Sequence, residues 1–193
     1  MPRRRRNVPL NVYLNNRLVG HLLKEPGGAV RFQYDQSWLD WGVAFPVSLS
    51  LPLREDAYRG EPVMAVFENL LPDSDVLRRR VAERVGARGS DAYSLLAAIG
   101  RDCVGALQFV EEGDDLDADT TVIEGEPVDD AAVERLLLNL AGAPLGLDRD
   151  DEFRISIAGV QEKTALLRHR GRWWKPRGTT PTTHLLKPQI GRL

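Results

Sequence analysis

The stretch Phe153-Arg154-Ile155-Ser156-Ile157-Ala158-Gly159-Val160-Gln161-Glu162-Lys163-Thr164-Ala165-Leu166-Leu167 sets a turn of small residues and a lysine between two apolar runs. Alanine and glycine at 158 and 159 let backbone N–H groups approach phosphate oxygens closely, because no bulky side chain holds the anion away. Lys163, or Lys187 further along, would neutralise the phosphate charge. In protein kinases a strand lysine that follows the phosphate loop pairs with the α and β phosphates, and the order here, loop and then Lys187, is the same. Spacing alone leaves two readings open. The stretch lacks the glycines of both G-x-x-x-x-G-K-[ST] and G-x-G-x-x-G, so an ordinary hairpin ending in a solvated lysine competes with a phosphate cradle.

Other chemistry-bearing residues point away from a site. His184 has no second histidine or cysteine at metal-ligand spacing and reads as structural. Gly100-Arg101-Asp102 resembles the H-R-D loop of protein kinases, but Leu107 stands where that motif needs a magnesium-binding asparagine, and the triplet precedes the phosphate loop. A turn is expected there. With 26 basic and 28 acidic residues, the net charge of -2 supplies no global attraction to nucleic acid or to an anionic membrane. Cys103 is the single cysteine, which excludes an intrachain disulfide framework and suits a reducing cytoplasm. No stretch approaches the roughly 18 uninterrupted apolar residues of a membrane span, and the start has no apolar signal region. The Arg3 to Arg6 run reads as a solvated tail, with phosphate contact as its alternative.

These residues must be carried by elements of two kinds. Leu10 to Leu14, Asn15-Asn16 and Arg17 to Leu23 form a hairpin signature, followed by a third strand from Ala29 to Tyr34 and an extended run from Val47 to Leu51. Helical spacing of Val63, Val66, Phe67 and Leu70 follows Pro62, then a helix capped by Ser74 buries Leu77, Val81 and Val85. A third helix is expected from Asp91 to Ile99, with Ser90 as N-cap and Gly100 as stop, before a strand from Val104 to Val110. Glu111 to Glu126 contains eight acidic residues and no basic one, which predicts a solvated connection. A helix is expected from Asp129 to about Ala141. Short strands at Phe153 to Ile157, Thr164 to Arg168, Arg172 to Lys175 and Thr183 to Lys187 then close the chain. The expected class is α+β, with a basic tail at 1–9, an α+β subdomain at 10–148 and the start of an antiparallel sheet at 149–193. Ile155, Ile157, Leu166, Trp173, Leu185 and Leu186 of that second unit call for a covering surface that about forty residues do not supply.

Several blocks in order resemble the HipA family of bacterial toxin–antitoxin kinases. They are Ser48-Leu49-Ser50-Leu51-Pro52-Leu53, Asn69-Leu70-Leu71-Pro72-Asp73-Ser74, Ile99-Gly100-Arg101-Asp102, Val104-Gly105-Ala106, the stretch from Phe153 to Leu167, and Thr180-Pro181-Thr182-Thr183-His184. The resemblance implies a HipA N-terminal subdomain followed by the start of a phosphatidylinositol-kinase-like domain that uses ATP and magnesium to phosphorylate protein serine or threonine. It assigns Ala158, Gly159, Val160, Gln161, Glu162 and Lys163 to the ATP-phosphate loop, Lys187 to the strand lysine that contacts ATP, and Ser156 to the autophosphorylated serine that shuts the site. It implies a HipB-like helix-turn-helix antitoxin, operator DNA bound mainly through that antitoxin, and a substrate such as an aminoacyl-tRNA synthetase, glutamyl-tRNA synthetase being the best-known target. Growth arrest and persistence are the implied setting.

The resemblance also implies that the residues orienting the attacking hydroxyl and holding magnesium belong to a C-terminal lobe beyond Leu193, so this chain alone is expected to be catalytically incomplete. Two other readings stay open. One is a split, non-catalytic HipA-like subunit acting as an antitoxin, although such a partner would not need the ATP loop. The other is a DNA-binding module using Arg3 to Arg6 and Arg78 to Arg80, against which stand the near-neutral charge and the lack of a helix-turn-helix pattern.

Overall fold

The computed structural model describes residues 7–102, 107–114, 123–142, 163–177 and 180–188. Leu10–Leu14 (β1) and Arg17–Lys24 (β2) form the expected hairpin. Asn15 and Asn16 at its tip take φ of 48° and 62°, the left-handed values a two-residue primed turn requires. Val30–Tyr34 (β3) pairs with β2, Tyr58–Arg59 (β4) with β3, and Leu107–Glu111 (β5) with β1, giving an antiparallel sheet in the order β4-β3-β2-β1-β5. The β1–β2 register shifts between Val12 and Tyr13. Opposite the shift, Gly20 lies so close to β3 that a Cβ would run into the Gln33 carbonyl oxygen, and only glycine fits.

Four helices accompany this sheet: Gln36–Leu39 (α1), Glu61–Glu68 (α2), Asp75–Val85 (α3) and Ala92–Ile99 (α4). The apolar spacings place Val63 and Phe67 of α2, Val81 of α3, and Leu95 and Leu96 of α4 in one core with Leu10, Leu22, Phe32 and Phe109 of the strands. Phe67 is its centre. Its ring meets Phe32 and Phe109 edge-on, each at 5.4 Å between centroids. Gly100 begins a 3-10 turn through Asp102, and a Cβ there would come within 2.5 Å of Phe109 Cβ. That close packing accounts for the turn expected from the Gly-Arg-Asp triplet.

Two local expectations need correction. The run Val47 to Leu51 is a turn, in which the Leu51 N–H donates to the Ser48 carbonyl at 2.9 Å and the Ser50 N–H to Ser48 Oγ at 3.2 Å. A serine hydroxyl competes with strand pairing in this way. The turn is held from outside: Trp38 Nε1 donates to the Phe45 carbonyl at 3.1 Å, Tyr58 donates to the Pro52 carbonyl at 2.6 Å, and the Tyr34 hydroxyl donates to Leu51 and accepts from Val47. Burial pushes the Tyr34 phenol up to about 12, so it stays a neutral donor.

The N-cap of α4 is Asp91 and not Ser90: its carboxylate accepts from the Ser94 N–H at 3.3 Å and the Ser94 hydroxyl at 2.7 Å, and receives Lys24 Nζ from β2 at 2.9 Å. Burial pushes the Asp91 carboxyl up, but the bonds from Lys24 and Ser94 outweigh it and hold the group below its ordinary 3.8. Its contribution is therefore present above that value and is lost as pH falls through the lower, folded one. Asp91→Ala should cost about 1 kcal/mol near pH 6, the scale of a lost cap. In denaturation experiments the difference from the parent should shrink as pH falls below the ordinary carboxylate value and through the lower, folded one.

A second antiparallel sheet follows, from Gly125–Val128 (β6), Thr164–His169 (β7), Arg172–Pro176 (β8) and His184–Leu186 (β9), in the order β6-β8-β7-β9. Helix Asp130–Gly142 (α5) starts one residue after the expected Asp129, whose Oδ1 accepts from the Ala132 N–H at 2.7 Å. The strand β6 was not expected. The last residues of the acidic stretch, still solvent-facing, pair with β8 through Glu126 opposite Lys175, and the strand continues to Val128 opposite Trp173, so the second sheet draws on chain upstream of residue 148. Leu166 and Leu167 are buried in β7 outside the first core, whereas Leu185 stays 49% exposed. Among the described residues no helix is long and apolar enough to cross a membrane. The mixture of helices with two antiparallel sheets is the expected α+β class.

Candidate phosphate site

The strand β7 organises the second sheet. It turns into β8 through Arg170 and Gly171, whose φ values of 48° and 77° suit a tight hairpin, and Leu167, Arg168 and His169 pair with Trp174, Trp173 and Arg172. On its other side it pairs with β9 in the register Thr164 with Leu186, Ala165 with Leu185 and Leu166 with His184. Lys163 immediately precedes β7 and is half-buried; Lys187 immediately follows β9 and is exposed. One further step along the same register sets these two lysines opposite each other, at one end of the strand pair. Opposite residues of an antiparallel pair project to the same face, and like charges so placed are unfavourable without a counter-ion.

Of the residues expected to bind phosphate, Lys163 and Lys187 flank the same end of the β7–β9 pair. Ser156, Ala158, Gly159, Val160, Gln161 and Glu162 lie outside the described residues, as do Phe153 to Ile157. His184 is engaged structurally: Nδ1 lies 2.8 Å from Thr183 Oγ1, and its ring stands edge-on to Trp173 at 5.1 Å. The Arg168 guanidinium covers the same indole at 4.6 Å. Sequence reasoning did not single out Thr183, whose hydroxyl accepts from the Arg168 N–H of β7 at 2.8 Å. A threonine just ahead of a short strand was the available signal.

The donor set fits a phosphate anion. Among the described residues no group of three His, Cys, Asp or Glu side chains is placed to hold a metal ion. A groove of about 590 Å³ beside β6, β8 and the start of α5 contains Glu126, Asp129 and Asp130. Three carboxylates against Arg172 give it the wrong sign for a polyphosphate.

The family model described as HipA N-terminal domain matches residues 10–110, a span that runs from the start of β1 to within one residue of the end of β5. A Sinorhizobium fredii protein named "Putative kinase Y4mE" is 33% identical over 185 residues, covering 95% of this chain and 44% of that protein. The serine/threonine-protein kinase toxin HipA of Shewanella oneidensis is 26% identical over 183 residues, covering 94% of this chain and 40% of the toxin. A solved structure of the Shewanella oneidensis toxin–antitoxin system, with HipA, HipB and operator DNA, superposes with a TM-score of 0.64 at 26% identity, covering 91% of this chain and 39% of that one. The chain thus spans about two fifths of the length of these relatives. Since the matched domain takes in all five strands of the first sheet but for the last residue of β5, with its helices, and the likeness to the toxin covers 94% of the chain, the chain belongs to the HipA family and carries its N-terminal portion.

Proposed function

We propose that this chain supplies the ATP-phosphate-holding part of a HipA-type serine/threonine kinase acting in a toxin–antitoxin system. The observation that carries the reading is the β7–β9 register, whose pair Thr164–Leu186 leaves Lys163 and Lys187 as the next residue of each strand at one end. Between them a phosphate group would be neutralised by two ammonium groups, and Ala158 to Glu162 would complete the cradle with backbone N–H groups. ATP would supply the γ-phosphoryl group. Lys187 would hold the α and β phosphates as the strand lysine of kinases does, with Lys163 closing the other side. The reading divides the chain into a tail at 1–9, a HipA N-terminal subdomain at 10–148 and the start of the kinase domain at 149–193, with β6 of the second stretch's sheet contributed from the 10–148 span, and sets it within the cytoplasm.

Transfer itself needs a group to orient the attacking hydroxyl and carboxylates to hold magnesium. We assign these to the remainder of a kinase as long as the relatives, of which this chain spans 39–44%. The 193 residues alone are therefore expected to transfer no phosphate from ATP, and steady turnover by them would contradict the assignment. By analogy with the Shewanella assembly, a HipB-like antitoxin and, through it, operator DNA are the proposed partners. An aminoacyl-tRNA synthetase is the proposed substrate class, with growth arrest and persistence as the outcome. A non-catalytic antitoxin subunit is the alternative. It would require little beyond residues 10–110, whereas the likeness to a kinase toxin continues past them.

Ser156 is the proposed site of self-phosphorylation, which would eject the phosphate loop and abolish ATP binding. In the complete kinase incubated with labelled ATP, peptide mapping should locate the label on Ser156, and Ser156→Ala should remove it while target phosphorylation continues. Label that persists in that variant would reject the assignment.

A further inference from the structure

The strand that delivers Lys187 is poorly specified by its own side chains. β9 has three residues and, among the described residues, lies at the sheet edge. Apolar patterning fixes register where one face of a strand is buried, but a one-step slip here exchanges Leu185 for Leu186, and Leu185 is 49% exposed. Leucine replaces leucine. The same slip would nevertheless turn Lys187 to the opposite face of the sheet, because side chains alternate along a strand.

Thr183 supplies the missing constraint. Its N–H donates to the Leu166 carbonyl at 3.0 Å, its Oγ1 accepts from the Arg168 N–H at 2.8 Å, and that oxygen also lies 2.8 Å from His184 Nδ1. Both β7 anchor points are backbone groups, fixed in turn by the pairing of Arg168 with Trp173 of β8. In a slipped strand the hydroxyl would lose its donor, and the Arg168 N–H its acceptor. We infer that Thr183 is a positioning residue whose hydroxyl, bound to the Arg168 N–H, fixes the register of β9 and hence the face on which Lys187 stands beside Lys163. The consequence for nucleotide binding rests on the phosphate-site reading above; the register does not.

The test uses this chain with Cys103→Ser. The pair Ala165→Cys with Leu185→Cys reports the observed register through disulfide formation, and Ala165→Cys with Leu186→Cys reports the slipped one. Thr183→Val keeps the β-branched shape and the backbone N–H but removes the acceptor, while Thr183→Ser keeps the hydroxyl. The ratio of native to slipped cross-linking should fall by about 3- to 10-fold in Thr183→Val, the scale of one hydrogen bond, and return in Thr183→Ser. In the complete kinase, without the paired cysteines, calorimetric affinity for ATP should follow the same order. An unchanged ratio in Thr183→Val, or no recovery with serine, overturns the inference. A shifted ratio with unchanged ATP affinity overturns its link to Lys187. If the complete kinase binds no ATP, the phosphate-site reading fails, and the cross-linking ratio still decides whether Thr183 sets the register.

Discussion

In the complete kinase, Lys187→Ala is expected to slow target phosphorylation by about 100- to 1,000-fold, the scale of losing one preorganised group that stabilises charge at a reacting centre. Lys187 lies one residue beyond β9, exposed, and the ladder that delivers it ends with Leu186 against Thr164. Its removal takes nothing from either core. Thermal denaturation of the variant should therefore match the parent to within roughly 0.5 kcal/mol, as for an ordinary surface substitution. Activity lost without stability lost is the distinguishing result, and full retained activity would remove Lys187 from the nucleotide site. Lys187→Arg should recover only part of the rate, because a planar guanidinium does not reproduce a compact ammonium.

The second large effect belongs to the first sheet. Phe67→Ala should destabilise the chain by about 3 to 5 kcal/mol, the range for truncating a buried phenylalanine. Phe67 is fully buried, and its ring bridges Phe32 of β3 and Phe109 of β5, strands at opposite sides of the sheet. Truncation leaves a cavity lined by two rings that are themselves anchored in strands and cannot collapse into it. Phe67→Leu keeps most of the volume and should cost less than half as much. Denaturant unfolding measures both, and a loss below about 1 kcal/mol for Phe67→Ala would show that α2 is not the keystone of this core.

Much of this architecture could be read from the residues, for identifiable reasons. The Asn15-Asn16 hairpin, the Ser74 cap and the apolar face of α2 rest on local chemistry, since each depends on a few neighbouring residues whose conformational demands are narrow. Errors arose where distant partners decide. Ser90 and Asp91 are both able caps, and the choice falls to Asp91, where Lys24 of β2 reaches the same carboxylate. The turn at 47–51 depends on Trp38, Tyr34 and Tyr58, and β6 exists because β8 offers it a partner. The candidate site divides in the same way. Lysine types and their order were visible in the sequence, but their juxtaposition follows from the β7–β9 register, which the Leu185-Leu186 repeat does not encode.

The most direct test of the phosphate site is to treat the complete kinase with an acyl phosphate of ATP, which transfers its acyl group to lysines held beside bound nucleotide phosphates, and to map the modified residues by mass spectrometry. Lys163 or Lys187 should carry the label, and excess ATP should suppress it. Label that falls on other lysines, or that persists at these two undiminished by excess ATP, would contradict the assignment of an ATP-phosphate site to this strand pair.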